Sequence, residues 1–162
     1  MLALALVALS ATPDAGALPA TPIRVTFSGD VTLGYHVEEW ADGLIKKGTP
    51  KDEALVWGFE RVKALTRASD LFVVNLECPF TDKGEKLQKN FNFRARPELV
   101  AGLEAGGVDV VSLANNHLMD YGPEGLFDTL TVLDTAKIAR FGAGRSLAEA
   151  RAPAVVTVGG VK

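Results

Sequence analysis

The sequence predicts an α/β fold built on a largely parallel sheet. Two observations carry this. Three short apolar runs rich in β-branched residues, at 23–28, 71–75 and 108–112, are separated by stretches with helical periodicity, and that alternation argues for strands joined by crossover helices. Each run also stops abruptly at polar side chains. Val25-Thr26-Phe27-Ser28 ends in Gly29-Asp30, Leu71-Phe72-Val73-Val74 in Asn75-Leu76-Glu77, and Val110-Val111-Ser112-Leu113-Ala114 in Asn115-Asn116-His117. Open α/β sheets build their sites beyond the carboxyl ends of their strands. Asp30, Asn75, Glu77, Asn116 and His117 are therefore expected on one sheet edge, as a hard-ligand metal site or an acid/base site.

The elements follow in order. Residues 23–28 form a strand by β-branched content and meet a glycine at once. Thr49 reads as an N-cap with Pro50 at the first helical position, opening a helix to about residue 68. Leu55, Phe59, Val62 and Leu65 make its apolar stripe, and Gly58 weakens it locally. Residues 71–75 are the second strand, 80–89 a polar loop, and 91–94 a short extended piece. Pro97 opens a helix that Gly106-Gly107 ends. Residues 108–112 are the third strand. Residues 124–136 are a helix with Leu126, Leu130 and Leu133 inward. A further short strand precedes Ser146-Leu147-Ala148-Glu149, a capping box on a short helix. Residues 154–158 read as a last strand before a Gly159-Gly160 turn.

At 162 residues the chain is long enough for one domain with a real core. A formal net charge of −3 and the absence of a basic run give no reason to expect nucleic acid or an anionic membrane as partner. The single cysteine, Cys78, cannot form an internal disulfide and leaves the redox compartment open. Nothing calls for an organic cofactor. Residues 2–11 are an apolar run too short to span a bilayer, and Ala15-Gly16-Ala17 is an A-x-A-like cleavage site. With no Lys or Arg ahead of it, this reads as a partial signal peptide. It predicts an exported or cell-envelope protein, with 1–22 as leader and linker and 23–162 as the folded portion.

Each candidate group has a chemical reading and a plainer one. Asp30 after a strand and a glycine suits a divalent cation, with Gly29 letting the backbone turn tightly; it equally suits a turn or helix cap. Asn75 and Glu77, two apart in extended chain, share one side and face one ion or substrate, or else open a loop. Asn115-Asn116-His117 is the strongest cluster, because amides and an imidazole are costly to bury unpaired. His117 suits a general acid or oxyanion donor, with Asp120 three residues on to orient it. The plainer reading is a satisfied polar corner. Arg94 and Arg96, on one strand face, suit an anionic substrate or a solvated face. His36, Cys78, Trp40 and Trp57 read as structural.

These residues give the chain a resemblance. Phe27-Ser28-Gly29-Asp30-Val31, Asn75-Leu76-Glu77-Cys78-Pro79 and Ser112-Leu113-Ala114-Asn115-Asn116-His117 with Asp120-Tyr121-Gly122, joined by Asp128-Thr129-Leu130 and Gly142-Ala143-Gly144, occur in the order and spacing of the capsule-synthesis protein CapA family. That family is linked to poly-gamma-glutamate capsule biosynthesis and related to calcineurin-like metallophosphoesterases; residues 23–162 resemble its amino-terminal part. The resemblance implies a layered metallophosphoesterase-like α/β-β/α sandwich, here incomplete. It implies Asp30, Glu77 and Asn116 as metal ligands and His117 as the group that protonates or steadies a leaving group. Asp120 joins His117 as a catalytic candidate; Asn75, Asn115 and Arg94 are candidates for substrate. Metallophosphoesterases carry Asp-x-His in the first motif, whereas Asp30 is followed by Val31-Thr32, and no histidine follows His117.

One Asp, one Glu, one Asn and one His suit Mn or Mg better than Zn. The first expectation is thus a metal-dependent, phosphoesterase-like hydrolase acting outside the cytoplasm on a phosphoester or the end of an anionic polymer. Membrane-bound capsule synthesis machinery is the expected partner. The alternatives are a non-catalytic envelope accessory or polymer-binding protein, or an inactive truncated fragment with an open sheet edge.

Overall fold

The computed structural model describes residues 22–162. The leader and signal-peptide reading therefore lies almost wholly outside the described residues. A four-stranded, all-parallel sheet in the order β1-β2-β3-β4 organises the molecule. Its strands are β1 (Val25–Val31), β2 (Leu71–Leu76), β3 (Val110–Ser112) and β4 (Ala139–Phe141). Helices α1 (His36–Lys46), α2 (Lys51–Glu60), α3 (Lys63–Thr66), α4 (Val100–Gly106), α5 (Gly122–Thr135) and α6 (Leu147–Arg151) connect and follow them. The α/β class expected from the alternation is the class observed.

Strand alternation divides the sheet into two faces. Phe72, Val74 and Leu76 of β2 and Val111 of β3 enter one core cluster with Leu99, Leu103, Leu130 and Leu133. Their neighbours point the other way. Phe27, Val73, Val110 and Ala139 are in register across the sheet, and so are Asp30 with Asn75 and Asn75 with Ser112 and Phe141. Phe27 and Phe141, on this second face, stay 40% and 36% exposed.

The register of β1 against β2 slips between Phe27 and Asp30. Phe27 faces Val73 and Asp30 faces Asn75, so β1 holds one residue more than β2 over this step. A bulge of this kind re-aims a side chain, and here it sets Asp30 beside Asn75. Gly29 lies in the bulge, but a Cβ there would meet nothing within 4 Å. Its role is not the sterically forced turn expected from the sequence.

Several boundaries differ from expectation. Helix α1 occupies a stretch given no element; its stripe of Val37, Ala41, Leu44 and Ile45 is half-buried or buried, but Gly43 interrupts it and no side chain caps it. The single helix expected to residue 68 breaks between α2 and α3, where Val62 stays in the right-handed region but is stretched to φ −114°. Its start moves one residue, with Pro50 rather than Thr49 at the cap. The helix after Pro97 opens as a 3₁₀ turn, Pro97–Leu99, before α4. Gly107 then closes α4 in the left-handed region at φ 70°, as the Gly106-Gly107 pair predicts.

Two expected strands do not form. Residues 154–158 pair with no strand among the described residues: Val155 is 65% exposed, and an isolated bridge joins Val158 to Val161 around the Gly159-Gly160 turn. Residues 91–94 instead run as irregular chain over the strand ends. Their register is set by a Phe80–Ala95 bridge and by the Phe93 amide, which donates to Asp120. The capping box is present in part: Ser146 Oγ accepts from the Glu149 amide at 3.2 Å, while the Glu149 carboxylate takes the Arg145 amide at 2.7 Å.

Candidate active site and cation site at the strand ends

The three polar strand ends converge. The Asn75 side-chain amide donates to Asp30 Oδ1 at 2.7 Å, joining β2 to the bulge of β1. The Asn115 amide donates to Asn75 Oδ1 at 3.1 Å and to the Leu76 carbonyl at 2.9 Å, joining β3 to β2. Its own Oδ1 accepts from the backbone amides of His117 and Leu118 at 3.0 and 3.2 Å. Both ends of the Asn115 side chain are thus engaged by the protein, which makes it the pin of this corner.

Glu77, next on the Asn75 side of the chain, is held against Asp30. Burial pushes its carboxyl above the usual range, and its hydrogen bond with the Asp30 carboxyl and the negative charge there push the same way; His117 opposes them. Glu77 and Asn116 line one cleft with Asn75, whose amide holds Asp30, and this oxygen-rich set is the donor chemistry that a hard divalent ion takes. Among the described residues no three His, Cys, Asp or Glu side chains form a metal-holding group. A site here would draw on the oxygens of Asp30, Glu77 and an amide such as Asn116, donors that suit Mg or Mn better than Zn.

His117 is buried on the far side of this corner. Its Nδ1 lies 2.8 Å from Asp120 Oδ2, and its ring stacks on Phe93 with centroids 4.1 Å apart. Asp120 has no exposed surface. The same Oδ2 accepts the Phe93 amide at 2.6 Å. The ammonium of Lys89 lies against Oδ1, which makes no hydrogen bond of its own. The Asp120 carbonyl accepts from the Leu87 amide at 2.9 Å. A carboxylate at Nδ1 fixes the tautomer with Nδ1 protonated and leaves Nε2 for chemistry.

A cleft of about 720 Å³ opens beside the cluster, lined among others by Asn75, Glu77, Asn115, Asn116, Met119 and Gly142. Gly142 forms its far wall. At φ 87° it is left-handed, and a Cβ there would lie 2.7 Å from the Ala114 Cβ, so only glycine lets the β4–α6 loop approach the end of β3 this closely.

Arg94 and Arg96 do not share a strand face, because no strand forms there. The Arg94 guanidinium sits over the Tyr121 ring at 4.5 Å. Arg96 is paired with Asp42 at 2.8 Å, Glu98 at 3.0 Å and Glu38 at 3.5 Å, a structural role. His36 pairs with Glu39 on the surface, and Trp40 packs on Trp57. Cys78 is fully buried and its thiol is pushed up to about 11 by burial, which leaves it inert. Asp128 and Thr129 brace the chain leaving β2: Thr129 Oγ1 accepts the Phe80 amide at 2.9 Å, and Asp128 takes Thr81 at 2.9 Å and Lys83 at 2.7 Å. Lys89 and Phe93 were not singled out in the sequence, since they reach the site from an irregular segment with no periodicity.

A parallel sheet whose carboxyl ends gather two carboxylates, three amides and a carboxylate-paired histidine has the layout of a metallophosphoesterase-like α/β domain. The chain belongs to the bacterial capsule synthesis protein PGA_cap family, whose model matches residues 24–162. It is 36% identical over 143 residues to a probable polyglutamine synthesis accessory protein of Mycobacterium tuberculosis strain H37Rv, covering 87% of this chain and 37% of that protein. It is 31% identical over 144 residues to the capsule biosynthesis protein CapA of Bacillus anthracis, covering 86% and 33%. It is 32% identical over 131 residues to the PGA biosynthesis protein CapA of Bacillus subtilis strain 168, covering 80% and 32%. The chain thus spans about a third of the length of these curated relatives.

Proposed function

We propose that this chain serves capsule or poly-glutamate biosynthesis as a CapA-like protein outside the cytoplasm, and that its strand ends hold a divalent cation for hydrolysis of a phosphoester or a related bond. The convergence of the strand ends, with Asn75 bonded to Asp30 and to Asn115 and with Glu77 and Asn116 lining the cleft beside them, supports the cation most directly. The names of its relatives support the biological setting. The apolar run and A-x-A-like site near the amino terminus support export.

In this reading Asp30, Glu77 and Asn116 supply oxygen donors. Asn75 holds Asp30 in place and Asn115 holds Asn75. An Mn or Mg ion held there would supply Lewis-acid polarisation of the scissile centre and a lowered pKa for its water. His117, held through Nδ1 by Asp120, presents Nε2 to the leaving oxygen, which it would protonate only as the imidazolium, carrying a second proton on Nε2. Phe93 keeps bulk water from one face of that ring by stacking on it. The cleft beyond Asn116 has room for the organic part of the substrate.

A second reading, a non-catalytic accessory protein gripping an anionic polymer or the membrane-bound synthesis machinery, is favoured by one observation. Among the described residues the carboxylate and imidazole ligands fall short of a three-member group. Phosphomonoester hydrolysis in excess Mn, measured for the wild type, Asp30→Ala and His117→Ala, separates the two. Turnover lost in both variants while each still folds cooperatively at the assay temperature supports the enzyme. No turnover in the wild type supports the accessory role.

A further inference from the structure

Outside the strand ends, one group touches both halves of the corner. Lys89 sits in the irregular segment between β2 and α4. Its ammonium donates to the Asn116 carbonyl at 2.9 Å and lies against Asp120 Oδ1. That oxygen is the one that neither His117 nor the Phe93 amide uses, and it is buried with no hydrogen bond of its own. A fully buried carboxylate needs a counter-charge. Lys89 provides it, and in doing so fixes the Asn116–His117 peptide from its carbonyl side.

We propose that Lys89 is a positioning residue for the cation site: by gripping the Asn116 carbonyl it fixes the backbone that carries the Asn116 amide at the cleft shared with Glu77, and it couples ion binding to docking of the 87–93 segment. This rests on the cation reading above. The coupling has a physical route. An ion held by the Asn116 side chain fixes the peptide whose carbonyl Lys89 grips. Lys89 in turn lies between Leu87 and Phe93, whose amides donate to the carbonyl and the carboxylate of Asp120. Linkage is reciprocal, so a docked segment tightens the ion as the ion tightens the segment. Residues that orient a ligand from behind typically change metal affinity by about 10–100-fold.

The test is Mn titration by calorimetry of the full chain as wild type, Lys89→Met and Lys89→Arg, with thermal melts and amide hydrogen exchange. The expected result is an affinity about tenfold weaker in Lys89→Met and largely restored in Lys89→Arg, which keeps the charge. Mn should slow exchange of the Leu87 and Phe93 amides in the wild type and not in Lys89→Met. The Lys89 side chain is 31% exposed, so the variants are expected to fold; if Lys89→Met melts early, retained affinity in Lys89→Arg together with Mn-slowed exchange carries the case. Unchanged affinity in Lys89→Met, or exchange that ignores Mn in the wild type, overturns the inference and leaves the cation site standing. A wild type that binds no Mn overturns both.

Discussion

The Nδ1 of His117 lies 2.8 Å from the Oδ2 of Asp120, a carboxylate with no exposed surface. That bond ties the chemistry to the fold. Asp120 simultaneously receives the Phe93 amide and the Lys89 ammonium and, through its carbonyl, the Leu87 amide. Removing the carboxylate strips partners from several buried groups together. Asp120→Ala is expected to destabilise the chain by about 3 kcal/mol, in the range for breaking a buried charged network. His117→Ala, which leaves Lys89 and the Phe93 amide on Asp120, is expected to cost less. Urea melts of the two variants check this order.

Neighbouring amides are expected to behave differently. Asn115 makes four side-chain bonds within the corner, whereas Asn116 is exposed on the cleft. Asn115→Ala should cost about 2 kcal/mol by leaving buried donors and acceptors unpaired. Asn116→Ala should change stability by less than about 0.5 kcal/mol and show its effect in Mn affinity instead. Equal stability losses would mean that both amides are structural.

The Asp30–Glu77 contact predicts a stability gained by removing a charge. Glu77 is raised by burial and by Asp30. A carboxyl raised in the folded chain contributes stability below its unfolded pKa of about 4.3, and that contribution is lost as pH rises through the folded value. The ion-free protein should therefore lose stability over this window as pH increases. Asp30→Asn should weaken the trend without removing it, because burial is the larger cause, and should raise the melting temperature of the ion-free chain at pH 7 and weaken Mn binding. Melting curves from pH 4 to pH 8, with and without Mn, read all three.

Asp128 shows the opposite sign. Burial alone would raise it, but the hydrogen bonds from Lys83 and Thr81 outweigh burial and hold it below the usual carboxylate range. A lowered carboxyl adds stability above its unfolded pKa of about 3.9, and loses it as pH falls through the folded value. Asp128→Asn is expected to flatten the acid limb of thermal stability below about pH 4. Its slope above pH 6 should stay unchanged.

What the sequence made legible follows from locality. The strands at β1, β2 and β3 announce themselves because a buried strand must be apolar and its carboxyl end need not be. Asp30, Asn75, Glu77, Asn116 and His117 could therefore be gathered at one edge from order alone, and Asp120 placed on His117 from three-residue spacing; that Asn115 is the amide that pins the corner was not legible. Helix α1 stayed hidden because Gly43 and the absence of a side-chain cap removed its local signals. The 154–158 run looked like a strand because β-branched content reports propensity, while a strand also needs a neighbour to pair with. Lys89 and Phe93 were illegible for the same reason. Their importance lies in contacts 27 and 24 residues away, with Asn116 and His117, from a segment without periodicity.

The central claim is that these strand ends bind a hard divalent cation. It is tested most directly by metal content, measured by mass spectrometry of the full chain after Mn loading and buffer exchange, beside Asp30→Ala and Glu77→Ala. The account predicts about one manganese per chain, lost in both variants while their melting is preserved. Manganese at background in the wild type, or retained in both variants, would contradict it.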